Sequence, residues 1–596
     1  MIPRSLSICI VAKPLAKISA LLSLAVPLHA AKVADPAPAE ARPPQHAGKP
    51  AMQLYAIASG DNSRCTEDDL RILAEKFQMV YGGFSKEQMD AMRRLNPEFK
   101  VLQYVGTFST NTTSKLLPAA EAEKRRAELL HYSLARLAED ASAEQQKIRL
   151  QPLAKNVPLT VKPSTAEGEF SAIDPQQPAS NRYVTWLRID EEFLRVNGFD
   201  LAGGEVAVQR GFSGSRPSAH KAGATVLHPV YQAGDAPGIE KDEYGRPPKT
   251  ISYIPDPAAP LRWDLTFEET RIALDKGYDG VWIDCLGSRP FNPAGVDGKV
   301  LGREYVAPRS DEDLLSAAGS RARFMPLWNF GEGRPYSDEE FRLCCEKGVA
   351  DLQDRLEKRR GKCPTLYANN IGPGYFPDQG GRKFFLMPTE AKPRPLDGYC
   401  LEGFAGTLSN TDFSQWLYEN GAAAPPKLPD LQRWQYAARV CMDAAQDKLA
   451  ICPMISQAGW KTMMLEALPL EQRDRFEMWA YADCLMTVEK GAPTMLGMPA
   501  FYVGQKGRYA HVHDRYFWPI GDPAESRKPD DLDGYRVPEH QSYMRRFTNG
   551  LVLVNPTTEA DADIRLDRAY IDPETGQSIS SATMEAQSGR LLLLNR

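Results

Sequence analysis

Histidine is scarce in this sequence, with 8 among 596 residues, and none stands at metal-ligand spacing from a cysteine. The 10 cysteines include no C-x-x-C pair. The nine that follow Cys9 are scattered along the chain, which excludes a zinc finger and a small disulfide-stapled module. No G-x-G-x-x-G opens the first strand-like segment, and no G-x-S-x-G nucleophile elbow occurs. No run reaches about 18 uninterrupted apolar residues, the length that would cross a bilayer. Long basic blocks are missing too: 72 Lys and Arg against 77 Asp and Glu give a net charge of −5, which speaks against a nucleic-acid partner. With 42% hydrophobic and 25% charged residues the chain is neither collagen-like, coiled-coil nor wholly disordered, and it can bury a large core. Chemistry without a metal or other cofactor is the expectation.

The first thirty residues have the order of an export signal. Arg4, Lys13 and Lys17 precede an apolar stretch from Ile18 to Leu28, and Leu28-His29-Ala30-Ala31 offers a small-residue cleavage point. Residues 31–50, rich in Ala and Pro, read as a linker, and a secreted or periplasmic location is expected. Cys9 precedes the apolar run, where no lipid-anchor cysteine would sit.

From Met52 onward two periods alternate. Strand-length apolar runs are Gln53–Ala58, Gln78–Tyr81, Lys100–Val105, Gly280–Ile283, Thr365–Ala368, Gly398–Leu401, Leu449–Met454 and Thr494–Met498. Between them, 3.6-residue periodicity predicts helices at Glu67–Lys76, Lys86–Leu95, Ala120–Glu139, Asp264–Lys276, Asp338–Lys358, Leu431–Gln446 and Leu470–Met486, with Thr66, Ser85 and Ser337 as N-caps. Eight such units predict an α/β fold, a (β/α)8 TIM barrel spanning residues 51–540, with catalytic residues at the C-terminal strand ends.

Two stretches depart from that pattern. Residues 183–231, between the third and fourth strands, read as an inserted β module with Gly-rich turns, and residues 541–596 as a C-terminal antiparallel β domain. The run from Asp190-Glu191-Glu192 to Ala224 resembles a small β module of phage tail proteins and some secreted hydrolases. Asp190, Glu191 and His220 are therefore read as structural parts of the insert.

Two strands end in carboxylates: Gly277-Tyr278-Asp279-Gly280-Val281-Trp282-Ile283-Asp284, and Leu396-Asp397-Gly398-Tyr399-Cys400-Leu401-Glu402-Gly403-Phe404. Asp279 and Asp397 precede their strands and read as braces of the barrel bottom. Asp284 and Glu402 fall at the mouth on strands four and six. Glycoside hydrolysis needs such a pair, one ionised and one protonated, about 5–5.5 Å apart for retention or about 6.5–9.5 Å for inversion.

These segments, with Asn549-Gly550-Leu551-Val552-Leu553-Val554-Asn555-Pro556, resemble secreted glycoside hydrolases grouped as hypothetical glycosyl-hydrolase-like barrels, similar in layout to the α-galactosidase and α-amylase superfamily. The resemblance covers the chain from about Met52 apart from the insert. It implies Asp284 as nucleophile and Glu402 as acid/base. α-Galactosidases carry Asp where Glu402 stands, so their substrate does not transfer.

Other strand ends carry groups suited to sugar. Amides of Asn370 and Gln457 can bond hydroxyls, the rings of Tyr104, Trp328 and Trp460 can stack on sugar faces, and Asp61 is a third carboxylate near the mouth. Trp282 and Trp479 are expected in the core. A carbohydrate-binding or envelope-associated protein on a barrel scaffold is the competing reading.

Overall fold

The computed structural model describes residues 52–58, 62–105, 110–111, 124–152, 186–200, 204–229, 231–235, 249–283, 327–336, 338–369, 387–404, 430–455, 470–499, 501–504, 507–510 and 512–595. All lie in one compact unit, Gly48–Arg596. The expected export signal falls outside them.

Eight strands are apolar because both their faces are covered. They are β1 (Gln53–Ala58), β2 (Met79–Gly82), β3 (Lys100–Val105), β4 (Gly280–Ile283), β5 (Thr365–Asn369), β6 (Gly398–Phe404), β7 (Ile451–Ile455) and β8 (Met495–Pro499). Each pairs in parallel with its sequence neighbours, and β1 pairs with β8, so the ring closes. Helices α1 (Glu67–Lys76), α2 (Lys86–Leu95), α3 (Pro260–Asp275), α4 (Asp338–Arg360), α5 (Asp430–Gln446) and α6 (Leu470–Thr487) cover six of the crossovers. The β5–β6 connection carries no helix among the described residues.

The first two helices start as their sequences predict. Thr66 and Ser85 form capping boxes with Asp69 and Gln88: each cap hydroxyl accepts from the third helical amide, and the Asp69 and Gln88 side chains accept from the cap amides. At the other end of α3 the chain turns at Gly277, whose φ of 100° is one that a side chain would strain.

Between β3 and α3 stands a second closed barrel of six antiparallel strands: His131–Leu137, Lys147–Pro152, Trp186–Ile189, Glu192–Asp200, Glu205–Gln209 and Thr225–Pro229. Leu187-Arg188-Ile189 thus pairs outside the parallel ring. Two of the six strands precede residue 183, so the module begins earlier in the chain than its Gly-rich part indicates. His131–Leu137 also corrects the helix predicted at Ala120–Glu139: among its described residues past Lys124, the one helical turn is the short 3-10 turn Arg126–Glu128. Six of that strand's seven residues are buried, so the alternation that would mark a strand is absent.

Within this module Glu192, fully buried, accepts hydrogen bonds from Arg210 Nε (2.8 Å) and Nη2 (2.7 Å), the Gly211 and Ser218 amides (both 3.0 Å), and faces His220 Nε2 at 2.9 Å. Burial raises the Glu192 carboxyl, but Arg210, Ser218 and His220 outweigh it and hold it at about 2. His220 Nδ1 meets Asp190 at 2.9 Å, and Asp190 occupies a turn position with φ 52°. These groups brace the module.

The tail forms a five-stranded antiparallel sheet from Tyr543 to Leu594 that packs against α6. Arg545, buried, joins the two. Its Nη1 donates to the carbonyls of Met486 (2.9 Å) and Val488 (2.6 Å) at the α6 C-terminus, and Nη2 meets Glu489 at 3.0 Å. A cation at that end of a helix complements its dipole.

Candidate active site

The ring interior is filled by buried side chains from every strand: Tyr55 and Ile57 from β1, then Met79, Leu102, Trp282, Tyr367, Cys400, Cys452 and Met495. The rings stack. Trp282 lies 5.3 Å from Tyr367 at 10°, 5.3 Å from Tyr55 and 4.7 Å from Tyr81. Tyr55 Oη donates to the Cys452 carbonyl at 3.3 Å and lies 3.6 Å from Cys400 Sγ. Small neighbours make room for the rings. A Cβ at Gly398 would lie 2.2 Å from the Tyr367 ring, and one at Gly497 2.3 Å from that of Tyr55. Trp282 and Trp479 are core residues, each at least 98% buried.

Strand residues alternate between faces in steps of two. Trp282 is the last residue but one of β4, and Cys400 precedes Glu402 by two residues on β6. Glu402 stands opposite Met454, and β6 continues to Phe404 through a register shift, so the strand runs two residues past the acid. Asp284 lies outside the described residues, as do Asp61, Asn370, Gln457 and Trp460.

A step from Leu102 reaches Tyr104, which is 40% exposed. Its ring stacks on Tyr81 at 6.0 Å, and Tyr81 continues the stack down to Trp282. Tyr104 is therefore the outermost plate of a column rooted in the core. Tyr81 was legible only as the last apolar residue of a short strand. Trp328 is not on the ring: it is half-buried in a two-stranded hairpin, paired with Pro335, between β4 and α4.

At the opposite end of the ring the two preceding acids hold the strands together. Asp279 Oδ2 accepts from the Val101 amide (2.8 Å) and Arg93 (2.9 Å), and Asp397 Oδ2 accepts from the Leu366 amide (2.8 Å). They are braces, as their position predicts.

Among the further perturbed titratable groups are Asp256 and His513. Burial raises Asp256, ahead of α3, to about 6 although the Tyr336 hydroxyl donates to it at 2.7 Å. His513, beyond β8, faces Glu477 at 2.9 Å and Asp474 at 3.2 Å. Burial lowers this imidazole, but the two acids outweigh it and raise it to about 9. Among the described residues no group of three or more His, Cys, Asp or Glu could hold a metal, eight cysteines are unbridged, and no helix is long and apolar enough to cross a membrane.

No family model and no curated protein matches the chain. Solved structures similar to it include glycoside hydrolases. One is the glycoside hydrolase domain of PelA from Pseudomonas aeruginosa, at 11% identity and TM-score 0.28, covering 76% of this chain and 96% of that one. A second is trehalose-6-phosphate hydrolase from Bacillus licheniformis, at 10% and 0.37, covering 91% and 99%. The Flavobacterium johnsoniae dextranase FjDex31A, at 8% and 0.30, covers 91% of this chain and 51% of its own. Similarity at this level transfers no residue role.

Proposed function

We propose that the chain is an exported glycoside hydrolase on a (β/α)8 barrel, acting on a polysaccharide or glycoconjugate through Asp284 and Glu402. One observation carries this reading: the residues two positions before both acids, Trp282 and Cys400, face the interior of a closed parallel ring. Acids at those positions on strands four and six belong at the mouth, where barrels of this kind do their chemistry.

In the reaction, Asp284 Oδ attacks the anomeric carbon as the bond to the leaving oxygen breaks. Glu402, protonated, gives its proton to that oxygen. A glycosyl ester on Asp284 results, and Glu402, now ionised, takes a proton from the water that releases it. At a wider separation, Asp284 would instead activate water and one inverting step would follow. Tyr104 offers the sugar a flat ring, fixed by the stack beneath it. Asn370, Gln457, Trp460 and Asp61 are the further proposed contacts.

The test is turnover of a polysaccharide panel by the purified protein beside Asp284→Asn. Hydrolysis that the variant abolishes supports the reading. Binding without hydrolysis by either protein supports the alternative, a carbohydrate-binding barrel. Export is tested separately, by N-terminal sequencing for a mature chain starting near Ala31.

A further inference from the structure

Two excursions leave the ring on the face where its strands end. The six-stranded module departs after β3 and returns at the N-terminus of α3. The hairpin of Trp328–Asn329 and Arg334–Pro335 lies between β4 and the N-terminus of α4. By connectivity both stand on the mouth side, and there they are joined.

The joint has two arms. At its start, Leu327 bridges to Tyr132 on the module's first strand. Directly after Trp328's own strand, the Phe330 ring meets His131 edge-on at 5.1 Å and carries the Arg188 guanidinium 3.9 Å from its centroid. Arg188 is itself fixed: it is buried, with Nε donating to the Asp190 carbonyl at 2.8 Å and Nη2 to Glu191 at 2.9 Å. A guanidinium removed from water attracts an aromatic face more strongly than an exposed one.

At the hairpin's other end the Tyr336 amide donates to the Leu327 carbonyl at 2.7 Å, and its hydroxyl to Asp256 at 2.7 Å. Asp256 belongs to the module's stem, its amide donating to the Glu128 carbonyl at 2.9 Å. The hairpin is therefore held at both ends by the insert. Between those anchors sits Trp328, half-buried and with no stacked ring partner among the described residues.

We propose that the inserted barrel and this hairpin form one composite rim that presents Trp328 as a stacking platform for a sugar unit beyond the one being cleaved. The substrate class is then a sugar chain, because a platform set apart from the ring is of use only to a ligand that extends past the mouth. Phe330 and Arg188 are positioning residues: they touch no sugar, and they fix the backbone that carries Trp328. Preorganisation of this kind strengthens binding by removing the cost of ordering the loop. The inference rests on the glycosidase reading for the cleaved unit and its kinetic arm; sugar binding at Trp328 is tested apart from it.

The experiment uses the full chain with Phe330→Ala, Phe330→Tyr and Trp328→Ala. Hydrogen exchange should speed up across residues 327–336 in Phe330→Ala and stay slow in Phe330→Tyr, which keeps the ring. The ratio of kcat/KM on a soluble polysaccharide to that on an aryl monoglycoside should fall about tenfold in Trp328→Ala and in Phe330→Ala, the worth of one stacked ring. Unaltered exchange in Phe330→Ala, or equal losses on both substrates, would overturn the proposal. If no sugar is hydrolysed, the glycosidase reading fails and the rim is tested by affinity electrophoresis in β-glucan, xylan, dextran and chitosan gels. Retardation lost in Trp328→Ala supports it; retardation unchanged, or none for the wild type, overturns it.

Discussion

Asp397 and Leu366 exchange two hydrogen bonds: the Leu366 amide donates to Asp397 Oδ2 at 2.8 Å, and the Asp397 amide donates to the Leu366 carbonyl at 2.9 Å. Asp279 and Val101 repeat the arrangement on another strand pair, at 2.8 and 3.0 Å. Acids that precede strands therefore fasten the ring from below. Asp279→Ala or Asp397→Ala should cost about 1 kcal/mol each, more if the freed amide stays dry. Urea midpoints measure this, and specific activity per folded molecule should not change.

Acids at the other strand ends should behave in reverse. Asp284→Asn is expected to abolish nearly all turnover with an unchanged unfolding midpoint. Glu402→Gln should be severe on substrates with poor leaving groups and mild on activated aryl glycosides, which need no proton in the first step. Comparing the two substrate types in stopped assays decides it. Equal losses on both would remove Glu402 from the acid/base role.

The ring interior tolerates little added volume. A methyl at Gly497 would enter the Tyr55 ring, so Gly497→Ala should destabilise by about 1–3 kcal/mol, as overpacked cores do. Chemical denaturation of Gly497→Ala beside the double variant with Tyr55→Phe tests the contact. If removing the hydroxyl recovers part of the loss, the overlap near Oη is its source.

His131 should make the module sensitive to acid. Burial, and then the charge of Arg188, hold this imidazole well below its ordinary value; the bond to the Leu129 carbonyl opposes them, and His228 lowers it further. A lowered histidine contributes stability that is fully present above about pH 6.5 and declines as pH falls below it. Burial pushes His228 down to about 4, in the same sense. Unfolding midpoints from pH 7 to 5 should drop, and His131→Asn should flatten the slope.

His513 has the opposite sign. Raised to about 9, it contributes stability below its ordinary value of about 6.5, lost as pH rises through 9. Melting curves from pH 7 to 10 should show this alkaline limb, and His513→Gln should remove it.

The ring strands were legible because each is a short apolar run bounded by turn residues, and the two brace acids because they precede such runs. Thr66 and Ser85 announced their helices through chemistry confined to four residues. The strand His131–Leu137 was not legible: burial on both sides removed its alternation, and the spacing of Leu130, Leu134 and Leu137 imitates a helix. Nor could sequence show that Trp328 leaves the ring or that Phe330 meets Arg188. Those contacts join segments more than a hundred residues apart, and no local pattern encodes them.

The stem of the inserted module has a consequence for the order of assembly. The Leu130 amide donates to the Ile254 carbonyl at 2.8 Å, and Leu129 bridges to Pro255. Strands β3 and β4 must pair across a very long stretch of chain, which makes their meeting entropically slow. In any order of folding in which the module forms before the ring, its stem holds the two ends of that stretch side by side. The remaining tether is then a few tens of residues, the length of an ordinary crossover. In that order an insertion that looks like a burden on ring closure is a staple that shortens the search.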